Sequence, residues 1–316
     1  TINMNILLIN PGRRDYIIKY FLKLPKKFKI KLFLIDPDKN IASFAVSNKT
    51  KNYTSPYAKS KNYKFFLRKF VKKNKINIVF PLSEFELRIL ANDKKYYSEK
   101  KVCLVISNLN VIAICENKIK TETFLKNIGI NCPKTISFSQ IKKNLPVIKK
   151  NIFGNSSKNQ KIIKNYHDIP RKKDHDYFYQ KYLSFQEYGM DILNDFHGNY
   201  LHSSVRKKIS MRAGDTDKAE IISSTKFLSL AKKISKRLKH IGNLDIDFLV
   251  NKKKIYVIDL NPRFGGGYPF THEYGYNYIK ALIDLYLDRK KKIKFKSKKN
   301  KITKFSKGIS IYKEKR

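Results

Sequence analysis

Hydrophobic positions in the first third of the chain switch regularly between continuous runs and helical spacing. Residues 5–9 form a short apolar run that reads as a strand. Pro11 and Gly12 then turn the chain, and Tyr16, Ile17, Tyr20 and Phe21 recur at the spacing of one helix face. A second strand is predicted over residues 30–35, closed by Asp36, and a variable loop follows. Next come a helix over 62–74, a strand over 76–80, a helix over 84–92 and a strand over 102–107. Strand and helix in alternation predict an open parallel sheet with right-handed crossovers, whose ligands gather at the carboxyl ends of the strands. Gly12, Arg13, Arg14 and Asp36 lie at such ends, but a single glycine falls short of the spaced glycines of a dinucleotide site, so NAD is not expected.

Beyond residue 115 the pattern changes. Phe124, Leu125 and Ile128 give one apolar helix face, Gly129 ends that helix and Pro133 blocks its continuation. Much further on, residues 243–250 place Asp245 and Asp247 on one strand face and Leu244, Ile246 and Phe248 on the other. Residues 251–254 supply a turn into IYVIDLNPRFGGG. There Ile255, Val257 and Leu260 have the character of a buried strand, and Asp259 and Asn261 are assigned to its other face. The two segments predict an antiparallel hairpin that brings Asp247 beside Asp259 and Asn261. Such carboxylates repel unless a divalent cation joins them. Mg²⁺ takes carboxylate and carbonyl oxygens alongside substrate phosphates, Arg263 can grip a phosphate or acyl phosphate in forked geometry, and Gly265 to Gly267 let the backbone approach a ligand. The bland reading, a solvated hairpin whose acids cap a turn, does not account for the NPRFGGG that follows.

Composition sets the bounds. A chain of 316 residues with 41% hydrophobic content can bury the cores of two or three modest domains. No stretch approaches the roughly 20 apolar residues of a membrane span, and the amino end lacks a signal peptide's basic start, so a cytoplasmic location is expected. Cys103, Cys115 and Cys132 show no metal spacing and read as reduced packing residues. A net charge of +44 invites a nucleic-acid reading, yet the lysines are dispersed and accompany abundant Asn, Ile, Tyr and Phe. A dispersed excess argues against a dedicated nucleic-acid surface, which would be a basic face with stacking aromatics. The densest run, RKKKIKFKSKKNKITK over 289–304, carries Ile293, Phe295 and Ile302, with Phe305 just beyond, and these read as strand edges.

The segments DIDFLV and IYVIDLNPRFGGG resemble the metal-binding hairpin of the ATP-grasp superfamily, in the branch similar to carbamoyl phosphate synthetase and smaller carboxylate-amine ligases. Asp259 stands where that family more often has Glu. The resemblance implies an α/β chain: an amino-terminal open parallel Rossmann-like sheet over 1–114, then a two-lobed ATP-grasp domain with antiparallel sheets over 115–316. CENKIKTETFLKNIGINCPKTI, from Cys115, resembles the segment entering that domain, with lobes expected over 115–180 and 181–316; Lys118 is expected to be an exposed helix lysine. LPVIKKNI resembles the strand with the phosphate-binding lysine, selecting Lys150 with Lys149 competing; strand alternation lets only one face inward. FGNSSKNQKI resembles the loop that closes over the triphosphate, implicating Gly154 and Ser156. YFYQKYLSFQEYGMDIL resembles the linker between lobes, with adenine against the backbone of Gln180, Lys181, Tyr182 and Leu183 and the ribose on Glu187. HSSVRKKISMRAGDTDKAEII resembles the segment that carries arginines toward the transferred phosphate, here Arg206 and Arg212, with Arg263 beyond. Asp247, Asp259 and Asn261 are the implied metal ligands. Arg13 and Glu84 are candidate contacts of the second-substrate pocket, as are Thr271, His272 and Glu273 unless these merely begin a helix. The implied activity is an ATP-dependent ligase with Mg²⁺, or Mn²⁺ in its place, joining a small-molecule carboxylate to an amine through an acyl phosphate. Amino acids, peptides and surface-sugar acids all fit as substrates, and a homodimer stays open. The competing class is an inactive ATP-grasp scaffold that responds to nucleotide or binds nucleic acid.

Overall fold

The protein is described here from a computed structural model, covering residues 2–154, 160–212, 214–252, 254–297, 304–307 and 311–313. The first sheet is parallel throughout, with β1 (Ile2–Ile9), β2 (Phe28–Asp36), β3 (Thr50–Thr54), β4 (Ile78–Pro81) and β5 (Cys103–Leu104) in the order β3-β2-β1-β4-β5. Its connections carry α1 (Asp15–Leu22), α2 (Tyr63–Lys73), α3 (Leu87–Asn92) and α4 (Lys94–Glu99). Residues Ile6 to Ile9 are apolar at every position because both faces of the sheet are covered. Ile6 and Leu8 enter one core with Ile17 and Phe21, whereas Leu7 and Ile9 enter another with Leu67 and Val71. The stretch read as a variable loop contains β3, an edge strand whose mostly exposed TKNYT lacks any hydrophobic pattern to betray it.

One apolar helix was expected from Cys115. Two form instead, α5 (Leu109–Glu116) and α6 (Lys118–Asn127), because Asn117 between them leaves helical geometry and its side-chain oxygen accepts from the Ile119 and Lys120 amides. A four-stranded antiparallel sheet follows, built from β6 (Thr135–Ile136), β7 (Val147–Asn151), β8 (Lys161–Ile163) and β9 (Tyr177–Lys181) in the order β6-β9-β7-β8.

The last sheet holds β10 (Gln186–Asn194), β11 (Tyr200–Arg212), β12 (Asp215–Ile222), β13 (Gly242–Asn251), β14 (Lys254–Asn261), β15 (Lys304–Lys307) and β16 (Ile311–Lys313). Its order is β14-β13-β10-β11-β12-β15-β16, antiparallel at each pairing. α7 (Thr225–Leu238) lays Phe227, Leu230, Ile234 and Leu238 on Leu244, Ile246 and Phe248. α8 (Tyr268–Glu273) and α9 (Tyr278–Leu287) return to the first sheet, where Tyr268, Ile279 and Leu282 share a core with Ile6, Leu8 and Ile17. In the basic tail Ile293 and Phe295 pack onto that core outside any strand, and Phe305 is buried on β15; Ile302 lies outside the described residues. Among the described residues no helix is long and apolar enough to cross a membrane.

Strict alternation along β14 would put Val257 and Asp259 on one face. A bulge prevents this: Asp247 pairs with Asp259 and Phe248 with Val257, which leaves Ile258 as the extra residue. Val257 and Leu260 therefore both enter the core while Asp259 and Asn261 share the opposite face.

Candidate active site

The β13–β14 register sets Asp247 across from Asp259 and Asp245 across from Asn261. Each outer carboxylate already meets a lysine. Lys208 Nζ donates to Asp247 Oδ1 at 2.6 Å and to Glu187 Oε1 at 2.5 Å, while Lys118 Nζ donates to Asp259 Oδ1 at 3.0 Å. Lys118 is thus no exposed helix lysine: its side chain is 8% exposed, because the break at Asn117 starts α6 directly over β14. Burial would raise the Asp247 carboxyl, but Lys208 and Arg206 outweigh it and hold it below the usual carboxylate range. Asn261 Oδ1 is buried without a hydrogen-bond partner among the described residues. Two carboxylates and an orphaned amide oxygen are a hard-oxygen set that fits Mg²⁺ or Mn²⁺. Among the described residues no three acidic, histidine or cysteine side chains form a cage by themselves, so phosphate oxygens would have to complete the shell.

Arg206 lies beneath this hairpin with its guanidinium committed. Nη1 donates to Asp191 Oδ2 at 2.7 Å and Nη2 to Asp245 Oδ1 at 2.5 Å, leaving Nε buried and unpartnered. Burial raises the Asp245 carboxyl to about 6 against the pull of Arg206. The glycine triplet is explained by what surrounds it. A Cβ on Gly265 would overlap the Asp245 carboxylate, on Gly266 the Asp215 carboxylate, and on Gly267 the Arg206 guanidinium. Arg212 does not join the site, its side chain being 82% exposed near Asp217. Register shifts on β11 around Ser210 change the alternation, and Met211 faces the cavity in its place.

That cavity has a volume of about 530 Å³ and opens between the first sheet and the hairpin. Arg13, Arg14, Tyr16 and Glu84 line it from the ends of β1 and β4, facing Asp247, Asn261 and Arg263. Arg263 reaches across toward Glu84 at 3.6 Å and Asp245 at 3.9 Å, and Tyr16 Oη donates to Gly265 O at 3.5 Å. Thr271, His272 and Glu273 were candidate pocket contacts but do not line it. Thr271 is buried donating to Asp191 at 2.6 Å, and His272 stacks on Tyr20 with ring centroids 3.5 Å apart, so α8 spends these residues on packing.

β7 and β9 bring Lys150 within electrostatic reach of the hairpin carboxylates. Lys150 is 7% exposed and donates to Gln180 Oε1 at 3.2 Å, whereas Lys149 lies on the other face over the Tyr177 ring. Burial and the nearby Lys118 lower the Lys150 ammonium to about 8. The Lys181 and Tyr182 amides are taken by Lys134 O and Pro146 O, and Lys181 Nζ turns away to Asn144 O and Leu145 O. Leu183 follows them at the end of the linker and is half-buried. Gly154 is exposed with φ of +100°. Ser156 lies outside the described residues. The structure therefore brings Lys150, Glu187, Asp247 and Asp259 into one electrostatic neighbourhood, with Asn261 and Arg263 at the cavity beside them. Sequence reading passed over Lys208 and Asp191. Lys208 was legible, two residues beyond Arg206 on one strand face; Asp191, buried in the ion network, carries no local signal.

A family model described as an ATP-grasp domain matches residues 115–267, and one described as a PylC-like N-terminal domain matches residues 6–105. No curated protein matches the chain. Among solved structures, Rhizobium etli pyruvate carboxylase superposes with a TM-score of 0.70 at 16% identity over 90% of this chain, which spans only 28% of that one. N5-carboxyaminoimidazole ribonucleotide synthetase from Thermotoga maritima gives 0.68 at 15% identity, covering 95% of this chain and 79% of that one. L-amino acid ligase from Bacillus licheniformis gives 0.68 at 15% identity, covering 91% and 75%. Likeness at these identities speaks to the fold.

Proposed function

Since the chain belongs to the ATP-grasp superfamily, with a PylC-like domain ahead of its ATP-grasp domain, we propose that it is an ATP-dependent ligase that activates a carboxylate as its acyl phosphate and passes it to an amine. The observation that carries this reading is the opposed pair Asp247 and Asp259 beside the orphaned Asn261 oxygen, with Lys150 within electrostatic reach on one side and an arginine-lined cavity on the other. In this reading ATP sets its phosphates on Lys150, its ribose on Glu187 and its adenine at the linker end, where the Lys181 and Tyr182 amides are already taken and Leu183 follows. The ion, Mg²⁺ or Mn²⁺, would be held by Asp247, Asp259 and Asn261 and would neutralise phosphate charge.

The carboxylate substrate lies in the cavity against Arg263. One of its oxygens attacks the γ-phosphorus as the bond to the bridging oxygen of ADP breaks, and Arg263 and Lys150 offset the charge on the transferred group. The amine nitrogen then attacks the acyl carbon, inorganic phosphate departs with the bonding electrons, and the nitrogen loses a proton. Phosphate leaves readily where a free carboxylate oxygen would not, and holding the partners together supplies the rest. Arg206 serves as a positioning residue that fixes Asp245 under the glycine triplet. ADP release should be measured over a matrix of carboxylates and amines with the wild type and Asp259→Ala. Asp259→Ala is expected to abolish substrate-dependent release while keeping the wild-type circular dichroism spectrum; unaltered turnover would reject the metal assignment.

A further inference from the structure

Once internal pairs are removed, the Arg14 guanidinium stands in the cavity without a contacting anion among the described residues. Lys208 is held by Asp247 and Glu187, and Arg206 by Asp191 and Asp245. Arg263, 9% exposed, has Glu84 and Asp245 within ion-pair range only at 3.6 and 3.9 Å, and its Nε is buried with no hydrogen-bond partner. Arg13 and Arg14, on the loop after β1, have no ion pair or hydrogen bond through their guanidinium groups among the described residues. Glu84 and Asp215 act on Arg14 only from beyond contact, while burial and the like charge of Arg263 lower its pKa. Arg14 and Arg263 thus face the same space from opposite walls; Arg263 has Glu84 and Asp245 in ion-pair range, whereas Arg14 shares the cavity with the Glu84 and Asp215 carboxylates without contacting either among the described residues. A guanidinium facing a cavity with no contacting anion is unfavourable unless a ligand supplies one.

We infer that the substrate carries two anionic groups: one carboxylate is activated beside Arg263 at the hairpin, and a second anionic group is gripped by Arg14, with Arg13 at the mouth. This inference rests on the ligase reading and adds to it the class of acid accepted. Arg14 suits the task because its fork matches a carboxylate or a phosphate monoester in two parallel hydrogen bonds, as a lysine cannot. The position makes the first domain the reader of substrate identity, since Arg14 precedes α1, distant in sequence from every hairpin residue.

Thermal melts of the full chain test this, with butyrate, glutarate or 3-phosphoglycerate added at matched ionic strength, in the presence of Mg²⁺ and a non-hydrolysable ATP analogue. The wild type should bind glutarate or 3-phosphoglycerate at least about tenfold more tightly than butyrate, the size expected for one charge-assisted contact. Glutarate and 3-phosphoglycerate distinguish a carboxylate from a phosphate as the second group. Arg14→Gln should erase the preference and Arg14→Lys, which keeps the charge but loses the fork, should retain part of it. Equal binding of all three acids by the wild type, or a preference that survives in Arg14→Gln, would overturn the inference. The analogue alone supplies the separate check: no stabilisation by it with an intact preference for glutarate or 3-phosphoglycerate sinks the ligase reading and leaves the pocket assignment standing.

Discussion

The burial of the Lys150 ammonium is only partly offset by the Asp259, Glu187 and Asp247 carboxylates. Burial and Lys118 lower its ammonium from 10.5 to about 8. Between those values the unfolded chain binds the proton and the folded one does not, so this residue's contribution to stability rises with pH across that window and is least favourable below about 8. A triphosphate beside Lys150 would raise its pKa again. Mg-ATP binding near pH 8.5 (~8.5, chosen just above the lowered pKa) should therefore take up protons, seen calorimetrically as a binding enthalpy that varies with the ionisation enthalpy of the buffer. A buffer-independent enthalpy would remove Lys150 from the phosphate site. Strand alternation could say that only one of Lys149 and Lys150 points inward, and the sheet decides which, because β9 puts Tyr177 under Lys149 and Gln180 beside Lys150.

At the scale of elements, the site depends on one irregularity. With Ile258 counted in an unbroken alternation, β14 would send either Asp259 and Asn261 or Val257 into the wrong environment; the bulge that absorbs Ile258 prevents this. Deleting Ile258 should therefore keep stabilisation by Mg-ATP, since regular pairing then sets Val257 and Asp259 on opposite faces without a bulge; lost nucleotide stabilisation would show that the bulge itself shapes the site. The glycine triplet is the second device. Gly267→Ala forces a methyl group against Arg206, which cannot retreat from its two carboxylates, so a loss of about 1–3 kcal/mol is expected from the urea unfolding midpoint. The apolar character of both strands and the run NPRFGGG were visible in sequence, whereas the bulge was not, because it is a property of the pairing.

Over the whole molecule, the core shared by β1, α1, α8 and α9 fixes the arginine loop opposite the hairpin, so the proposed substrate and nucleotide sites draw on parts distant in sequence. Mg-ATP at about a hundredfold excess over its Kd should add about 2.7 kcal/mol of stability if it binds only the folded chain. The net charge of +44 should give RNA binding that falls steeply with salt and does not compete with Mg-ATP, read by fluorescence anisotropy at two ionic strengths. Competition would instead tie the basic surface to the nucleotide site. The alternation of strands and helices, the parallel first sheet and the acidic hairpin were set by sequence alone, though not β3 or the split between α5 and α6, since periodicity and turn residues act over a few neighbours. Only the tertiary structure decided which cations are spent and which are free, why Arg206 and Lys208 are neutralised while Arg14 is not, and why Arg212 points to solvent. Those outcomes depend on partners tens or hundreds of residues away, and charge balance in a cavity is a sum over all of its walls.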